Sequence, residues 1–285
     1  MIYCVVCRNN TFEIGLILDN QQLLVTDLDG TLWFDGELCH RKSLKAFEKI
    51  QDNGVTILIA TGRRFRIVAD TFANFGWRVP CLLLNGSLCY DFAIQKRLFS
   101  ICFSQKENTE ILKIFESHDL SPTLYADDSY VYACNPTTSK GHIEAIGPDL
   151  ILIPALGSYS QRLDILNFCI LGMPRENLEG VAKDLSDSGL ANPSLYKDQI
   201  FDGYSLTVQP LNISKWSGIL QWCEYTNFSP SRIITVGDAG NDLEMLIHAD
   251  KSIVIAGAEK RLIDIADHVI PPPNVGGWSE IPHFL

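Results

Sequence analysis

Short apolar runs punctuate the first third of the chain, and each one closes on small and polar residues. Leu23-Leu24-Val25-Thr26 leads into Asp27-Leu28-Asp29-Gly30, Val55-Thr-Ile-Leu-Ile-Ala60 into Thr61-Gly62-Arg63, and Val79-Pro-Cys-Leu-Leu-Leu84 into Asn85-Gly86. Runs this short, bounded by Gly, Asn and Asp, predict buried strands rather than helices. Between them, Arg41 to Asn53 places Leu44, Phe47 and Ile50 at helical spacing, with Asn53-Gly54 as a stop. Phe65 to Phe75 is predicted as a second helix. Strand, helix and strand in alternation imply right-handed βαβ units and a parallel sheet.

The texture changes from about Ser87 to Tyr204. Short alternating segments such as Thr123-Leu-Tyr-Ala and Tyr130-Val-Tyr-Ala flank Asp127-Asp128-Ser129, a pattern that suits a half-exposed antiparallel sheet. Lys106 to Ser117 and Arg175 to Ser188 are predicted as helices covering one face of it. The α/β pattern then resumes: a helix from Lys215 to Tyr225, a strand Arg232-Ile-Ile-Thr-Val236 ending in Gly237-Asp-Ala-Gly-Asn-Asp242, a helix from Leu243 to His248, a strand Ser252-Ile-Val-Ile255 and a helix from Lys260 to Ala266. The expected fold is α/β, a Rossmann-like parallel-sheet core of residues 1–86 and 205–285 with an α+β module of residues 87–204 inserted in it.

Composition narrows the function classes. A formal net charge of −11 leaves little basic surface for a phosphate backbone, so a nucleic-acid partner is not expected. Nine cysteines, an odd number scattered through apolar segments, suit reduced thiols in a cytoplasmic protein better than a disulfide framework. Cys4-Val-Val-Cys7 has redox or zinc spacing, but no second pair completes a zinc site. Met1 to Val6 is apolar without a basic flank, and Arg8 cuts the run short of a signal-peptide core. No apolar stretch is long enough to span a bilayer, so no membrane association is expected.

Chemistry concentrates where the runs end. In an open α/β sheet, ligands bind beyond the carboxyl ends of the strands. Asp27 and Asp29 emerge together at such an end, and two carboxylates so close repel unless a cation, a proton or hydrogen bonds offset the charge. The pair therefore points to a Mg²⁺ site or to a division between acid and base, unless Asp-Leu-Asp-Gly is merely an exposed turn. Thr61-Gly62-Arg63 ends the second run, where Thr61 either caps the following helix or helps to bind phosphate. Lys215 opens a helix, a position that disfavours a cation unless an anion faces it. Asp238, Asn241 and Asp242 follow the fourth strand.

Together these clusters resemble the haloacid dehalogenase superfamily over nearly the whole chain. Asp27 to Thr31 matches its Asp-x-Asp-Gly-Thr motif, Thr61 its second motif, Lys215 its third, and Gly237-Asp238-Ala-Gly-Asn241-Asp242 its fourth. Asp27 and Thr61 are 34 positions apart, too few for an inserted domain, whereas Thr61 and Lys215 are 154 apart. That spacing resembles the branch with an α/β cap between the second and third motifs, which includes the Cof-like phosphatases and the sucrose-phosphate phosphatase group.

The resemblance implies a Mg²⁺-dependent phosphomonoester hydrolase acting through an aspartyl-phosphate. Asp27 would be the nucleophile and Asp29 the general acid, later the base, with Lys215 a fixed charge on the phosphoryl group. Metal ligands would be Asp27, Asp29 through its backbone carbonyl, and Asp238. Thr31, Thr61, Gly62, Arg63, Lys215 and Asn241 would contact the phosphate or substrate, and Asp242 with Asn241 would orient metal-bound waters or Lys215. The expected substrate is a small phosphate ester, a sugar phosphate by branch resemblance and by the aromatic and polar residues Tyr125, Asp127, Asp128, Tyr130, Tyr132, Tyr196, Lys197 and Tyr204 of the cap. A phosphotransferase or mutase of the same superfamily, a sugar-nucleotide transferase using Asp27 and Asp29 as a metal pair, and an inactive phosphate-binding regulator are the alternatives. Two segments depart from the pattern: about twenty residues precede the first strand, of which Thr11 to Leu18 is expected as an edge strand or oligomer contact, and Pro271 to Gly277 only loosely resembles the usual closing loop.

Overall fold

The computed structural model describes residues 3–8, 11–16, 21–198 and 200–285, with side chains for the last two ranges. Its backbone packs as two compact units, Met1–Ala60 with Ile219–Leu285, and Thr61–Gly218.

The first unit is built on five parallel strands in the order His268–Ile270, Lys251–Ile255, Arg232–Gly237, Gln22–Thr26, Thr56–Ala60. Leu23, Leu24 and Val25 in the middle strand are fully buried, as expected of a strand covered on both faces. From that strand the chain crosses to Thr56–Ala60 on one side and later returns to Arg232–Gly237 on the other. The carboxyl end of Gln22–Thr26 is thus a topological switch point, the place where an open α/β sheet leaves a crevice. The helix Arg41–Asp52 turns Ser43, Ala46, Phe47 and Ile50 inward, one stripe at helical spacing, and Asn53 closes it.

Most helix expectations agree with the structure to within a residue or two, with one shorter than expected. Lys260–Ile263 stops three residues before Ala266, because Asp267 turns its carboxylate onto the Ser252 amide and hydroxyl and takes the chain back towards the sheet. Thr11–Leu16 is a strand, but it pairs with Tyr3–Arg8 in a two-stranded antiparallel sheet of its own rather than at the edge of the parallel sheet. Residues 17 and 18 lie outside the described range.

The second unit contains the helix Phe65–Phe75, an antiparallel meander of Pro80–Leu83, Leu88–Asp91 and Lys96–Ser100, and a six-stranded sheet. The order of that sheet is Leu150–Leu152, Val131–Ala133, Thr123–Ala126, Ile165–Met173, Tyr204–Gln209, Asn192–Lys197, antiparallel except for the first pair. Helices Gln105–Ser117 and Arg175–Ser188 share one hydrophobic core with it, in which Ile111, Phe115, Leu178, Val181 and Leu185 meet Leu124, Phe168 and Leu206. Ser104 and Glu107 form a reciprocal capping box at the start of the first of these helices.

Candidate active site

Within the first unit, the carboxylates of Asp27, Asp238 and Asp242 converge, each offering an oxygen within 4.8 Å of the others. Parallel pairing explains the convergence. Thr26 lies opposite Val236 in the register, so the residues that follow each strand leave the sheet at the same level. The Asp27 amide still donates to Val236 O at 3.0 Å. Beyond it the chain folds tightly on itself, with the amides of Thr31, Leu32 and Trp33 all donating to Leu28 O. Gly30 makes this possible: its φ is +73°, and a Cβ there would lie 2.3 Å from Asp238 Oδ2.

The second acidic loop is held by its own side chain. Asp242 Oδ2 accepts from the amides of Asp238 and Ala239, each at 3.0 Å, and Asp242 is fully buried. Thr31 Oγ1 donates to Asp238 Oδ1 at 2.7 Å and so ties the two loops together. Among the described residues, then, the structure brings together the carboxylates of Asp27, Asp238 and Asp242. The signal for Asp242 was its spacing from Asp238, four residues across a turn that returns the side chain to the loop's own amides. Asp29 is half-buried and contributes no carboxylate oxygen to the trio; Asn241 is exposed.

Within the second unit, Thr61 is fully buried and its Oγ1 accepts from the Arg63 amide at 3.1 Å. That bond is an ST-turn, fixing the residues that lead into the Phe65–Phe75 helix. Gly62 is exposed and Arg63 half-buried. Arg64 engages the Asp149 carboxylate and the carbonyls of Ala145 and Ile146, so this guanidinium serves the second unit's own packing. Lys215, only 1% exposed, opens the helix Lys215–Thr226. Just before it, Ser214 and Ser217 exchange hydrogen bonds that fix the helix start. The turn Leu84–Gly86 packs against this start: all three residues have positive φ, and a Cβ on Gly86 would lie 2.4 Å from Ser214 O.

Most of the aromatic and polar side chains singled out between Tyr125 and Tyr204 already have partners within the second unit. Tyr125 is buried, and its hydroxyl meets His142 Nε2 at 2.8 Å, while Thr138 Oγ1 meets Nδ1 at 2.7 Å. Burial lowers the His142 pKa to about 4 and raises that of Tyr125 well above its ordinary value. Tyr132 donates to Asp128, Asp127 pairs with Arg97, and the Arg66 guanidinium lies over the Tyr130 ring. Burial first, then the bond to the Asp128 carboxylate, pushes the Tyr132 hydroxyl up to about 12. Tyr196 and Lys197 sit exposed on the edge strand Asn192–Lys197.

A family profile described as haloacid dehalogenase-like hydrolase matches residues 24–281. The pyridoxal phosphate phosphatase YbhA of Escherichia coli is 21% identical over 262 residues, covering 87% of this chain and 93% of that protein. Among solved structures, TM0651 of Thermotoga maritima superposes with a TM-score of 0.78 at 20% identity, covering 93% of this chain and 97% of that one. The subclass IIB sugar phosphatase BT4131 gives 0.73 at 19% identity, covering 93% and 99%. No helix among the described residues is long and apolar enough to cross a membrane.

Proposed function

The chain belongs to the haloacid dehalogenase-like hydrolase family and is a phosphatase, and we propose that it hydrolyses a small phosphorylated metabolite, a sugar phosphate, with Asp27 as nucleophile and Mg²⁺ as cofactor. The observation that carries this reading is the trio Asp27, Asp238 and Asp242 at the switch point of the parallel sheet. The donor set suits Mg²⁺: hard carboxylate oxygens, few enough to leave room for water and a phosphate oxygen. Asp27, Asp238 and the Asp29 backbone carbonyl would hold the ion, with Asp242 keeping the Asp238 loop in shape. When bound, the ion would offset the charge that keeps an anionic nucleophile from a phosphate dianion.

The remaining steps fall to the chain's own groups. Asp27 attacks phosphorus in line with the ester oxygen and becomes acylphosphate. Asp29 gives its proton to the leaving alkoxide, then takes one from the water that attacks the intermediate. Thr61, the Gly62 amide and, once its hydroxyl turns away from Asp238, Thr31 would donate to phosphate oxygens, Arg63 and Asn241 would contact the phosphate or substrate, and Lys215 would supply fixed positive charge. The assignments of Thr61, Arg63 and Lys215 rest on motif order. Residues 87–204 would act as the substrate-selecting cap, and the chain would work in the cytoplasm without nucleic-acid or membrane partners. Substrate choice is supported by the resemblance to subclass IIB, whose member BT4131 is named a sugar phosphatase. YbhA, by contrast, is named for pyridoxal phosphate, a flat cofactor ester.

The test is Mg²⁺-dependent phosphate release across sugar phosphates, nucleotides, pyridoxal phosphate and flavin mononucleotide. Sugar phosphates should show the highest kcat/KM; turnover confined to the flat cofactors would overturn the substrate class. Release of inorganic phosphate separates a hydrolase from a phosphotransferase or mutase. Asp27→Asn should fold and be inactive, whereas wild-type-like turnover in that variant would remove Asp27 from the nucleophile's role.

A further inference from the structure

The segment Pro271–Gly277 and the short helical tail behind it have no part in the motifs, yet they deliver one side chain to the heart of the first unit. Pro271, Pro272 and Pro273 stiffen the approach, and the chain then reverses sharply, the Gly277 amide donating back to Pro272 O at 3.2 Å. The reversal needs glycine: a Cβ on Gly277 would sit 1.7 Å from Pro271 O, and Gly276 has a φ of +83° with His40 packed where its Cβ would point. Immediately after it, Trp278 is fully buried, its ring 5.8 Å from that of Phe47 on the helix Arg41–Asp52. Its indole Nε1 donates to Thr26 Oγ1 at 3.0 Å, across 252 positions of sequence.

The chemistry of that bond has a direction. An indole N–H only donates, so Thr26 Oγ1 must accept from it, and the threonine's single hydroxyl hydrogen is left for another acceptor. That acceptor is Asp27 O, at 2.9 Å. Thr26 is fully buried, so water does not compete for either bond. The Asp27 backbone is consequently held on both sides, its N–H by Val236 O and its C=O by Thr26, at the residue where the strand ends and the catalytic turn begins.

We propose that Trp278 and Thr26 are positioning residues for phosphoryl transfer, a buried relay through which the C-terminal tail orients the backbone of Asp27. The proposal rests on Asp27 being the nucleophile. A relay of this kind acts on the transition state more than on substrate binding, because in-line attack is sensitive to displacements of a fraction of an ångström.

The test uses the full chain with Thr26→Val, Thr26→Ser, Trp278→Phe, the double variant Thr26→Val/Trp278→Phe, and Asp27→Asn as reference, reading kcat, KM and the thermal midpoint together. Thr26→Val should lower kcat about tenfold with KM nearly unchanged, and should also lower the midpoint, since it strands the indole N–H in a buried site. Thr26→Ser keeps the hydroxyl and should restore most of kcat. Replacing both partners removes the stranded donor, so the double variant should be more stable than the sum of the two single losses, although Phe leaves space where the indole sat; its kcat should stay as low as that of Thr26→Val. This divergence separates positioning from mere support. If kcat returns together with the midpoint, or if Thr26→Val and Trp278→Phe turn over like wild type while Asp27→Asn is inactive, the relay is refuted and the nucleophile assignment stands. If Asp27→Asn itself turns over, the assignment beneath the relay fails and the relay with it. Should Thr26→Val fail to fold, Trp278→Phe, which keeps an aromatic ring but removes the N–H, carries the same prediction of a reduced kcat at unchanged KM.

Discussion

Asp242→Ala separates two jobs that one side chain performs. In the folded chain Asp242 Oδ2 accepts from the amides of Asp238 and Ala239 at 3.0 Å each, and its charge belongs to the trio with Asp27 and Asp238. Removing the carboxylate leaves two donors without their acceptor. Each would cost up to about 3 kcal/mol in a sealed site, but Asp238 and Ala239 are half-buried and water can reach them, so a total of about 1–3 kcal/mol is expected. The displaced loop carries Asp238, hence apparent Mg²⁺ affinity should fall about 10- to 100-fold, as for other groups that orient a metal ligand. Asp242→Asn retains an oxygen for the same two amides, but loses the charge and puts an NH2 group in place of the other oxygen. It should keep most of the stability while still weakening Mg²⁺. Urea denaturation gives the first quantity and Mg²⁺ titration of phosphate release the second. If Asp242→Ala matches wild type in both its urea midpoint and its half-saturating Mg²⁺, the carboxylate neither shapes the loop nor supports the cation, and the argument from convergence fails.

Two further perturbations probe the two units separately. Burial lowers the His142 pKa from 6.5 to about 4, so between those values the unfolded chain binds a proton that the folded chain refuses; the contribution is complete above pH 6.5 and lost as pH falls towards 4. Between pH 7 and pH 5 wild type should therefore lose about 2 kcal/mol more stability than His142→Gln, and equal losses in paired urea melts would exclude this account. Gly277→Ala places a Cβ 1.7 Å from a backbone oxygen that cannot swing aside, so the turn must open at a cost of about 3 kcal/mol or more. An unchanged thermal midpoint would mean that the tail is not held as described.

The fold was legible wherever a local rule sufficed. Leu44, Phe47 and Ile50 mark the helix Arg41–Asp52 because one face of it is turned inward, and the run Leu23 to Thr26 marks a strand covered on both sides. The rules failed where a distant contact decides. The helix Lys260–Ile263 stops early because Asp267 finds Ser252. The strand Thr11–Leu16 pairs with its own neighbour, a choice of partner that alternation alone does not encode. Tyr125 and Tyr132 could be groups offered to a ligand or ordinary residues of a half-exposed sheet, and the choice was open because a sequence shows a hydroxyl but not His142 or Asp128 already bonded to it.

The candidate site divides along the same line. Asp27 and Asp238 are 211 positions apart, yet each was visible as the polar end of an apolar run, and parallel pairing with Thr26 opposite Val236 brings both ends to one level. Their meeting is thus a consequence of strand order; the alternation of elements predicts parallel strands with ligand-facing ends but not which strands are neighbours. The contact between Trp278 and Thr26 has no such basis. Thr26 reads as an ordinary β-branched strand residue, and Trp278 follows two glycines in a segment without periodicity, so neither carries a mark of the other. What joins them is the requirement that a buried indole N–H find an acceptor, together with a turn at Gly276 and Gly277 that leaves the ring one place to go. A hydroxyl so placed has one hydrogen to give, and the group it meets is the backbone of Asp27. The tail therefore reaches the Asp27 backbone through the valence of a threonine oxygen, and comparing Thr26→Val with Thr26→Ser changes that valence while leaving the strand in place.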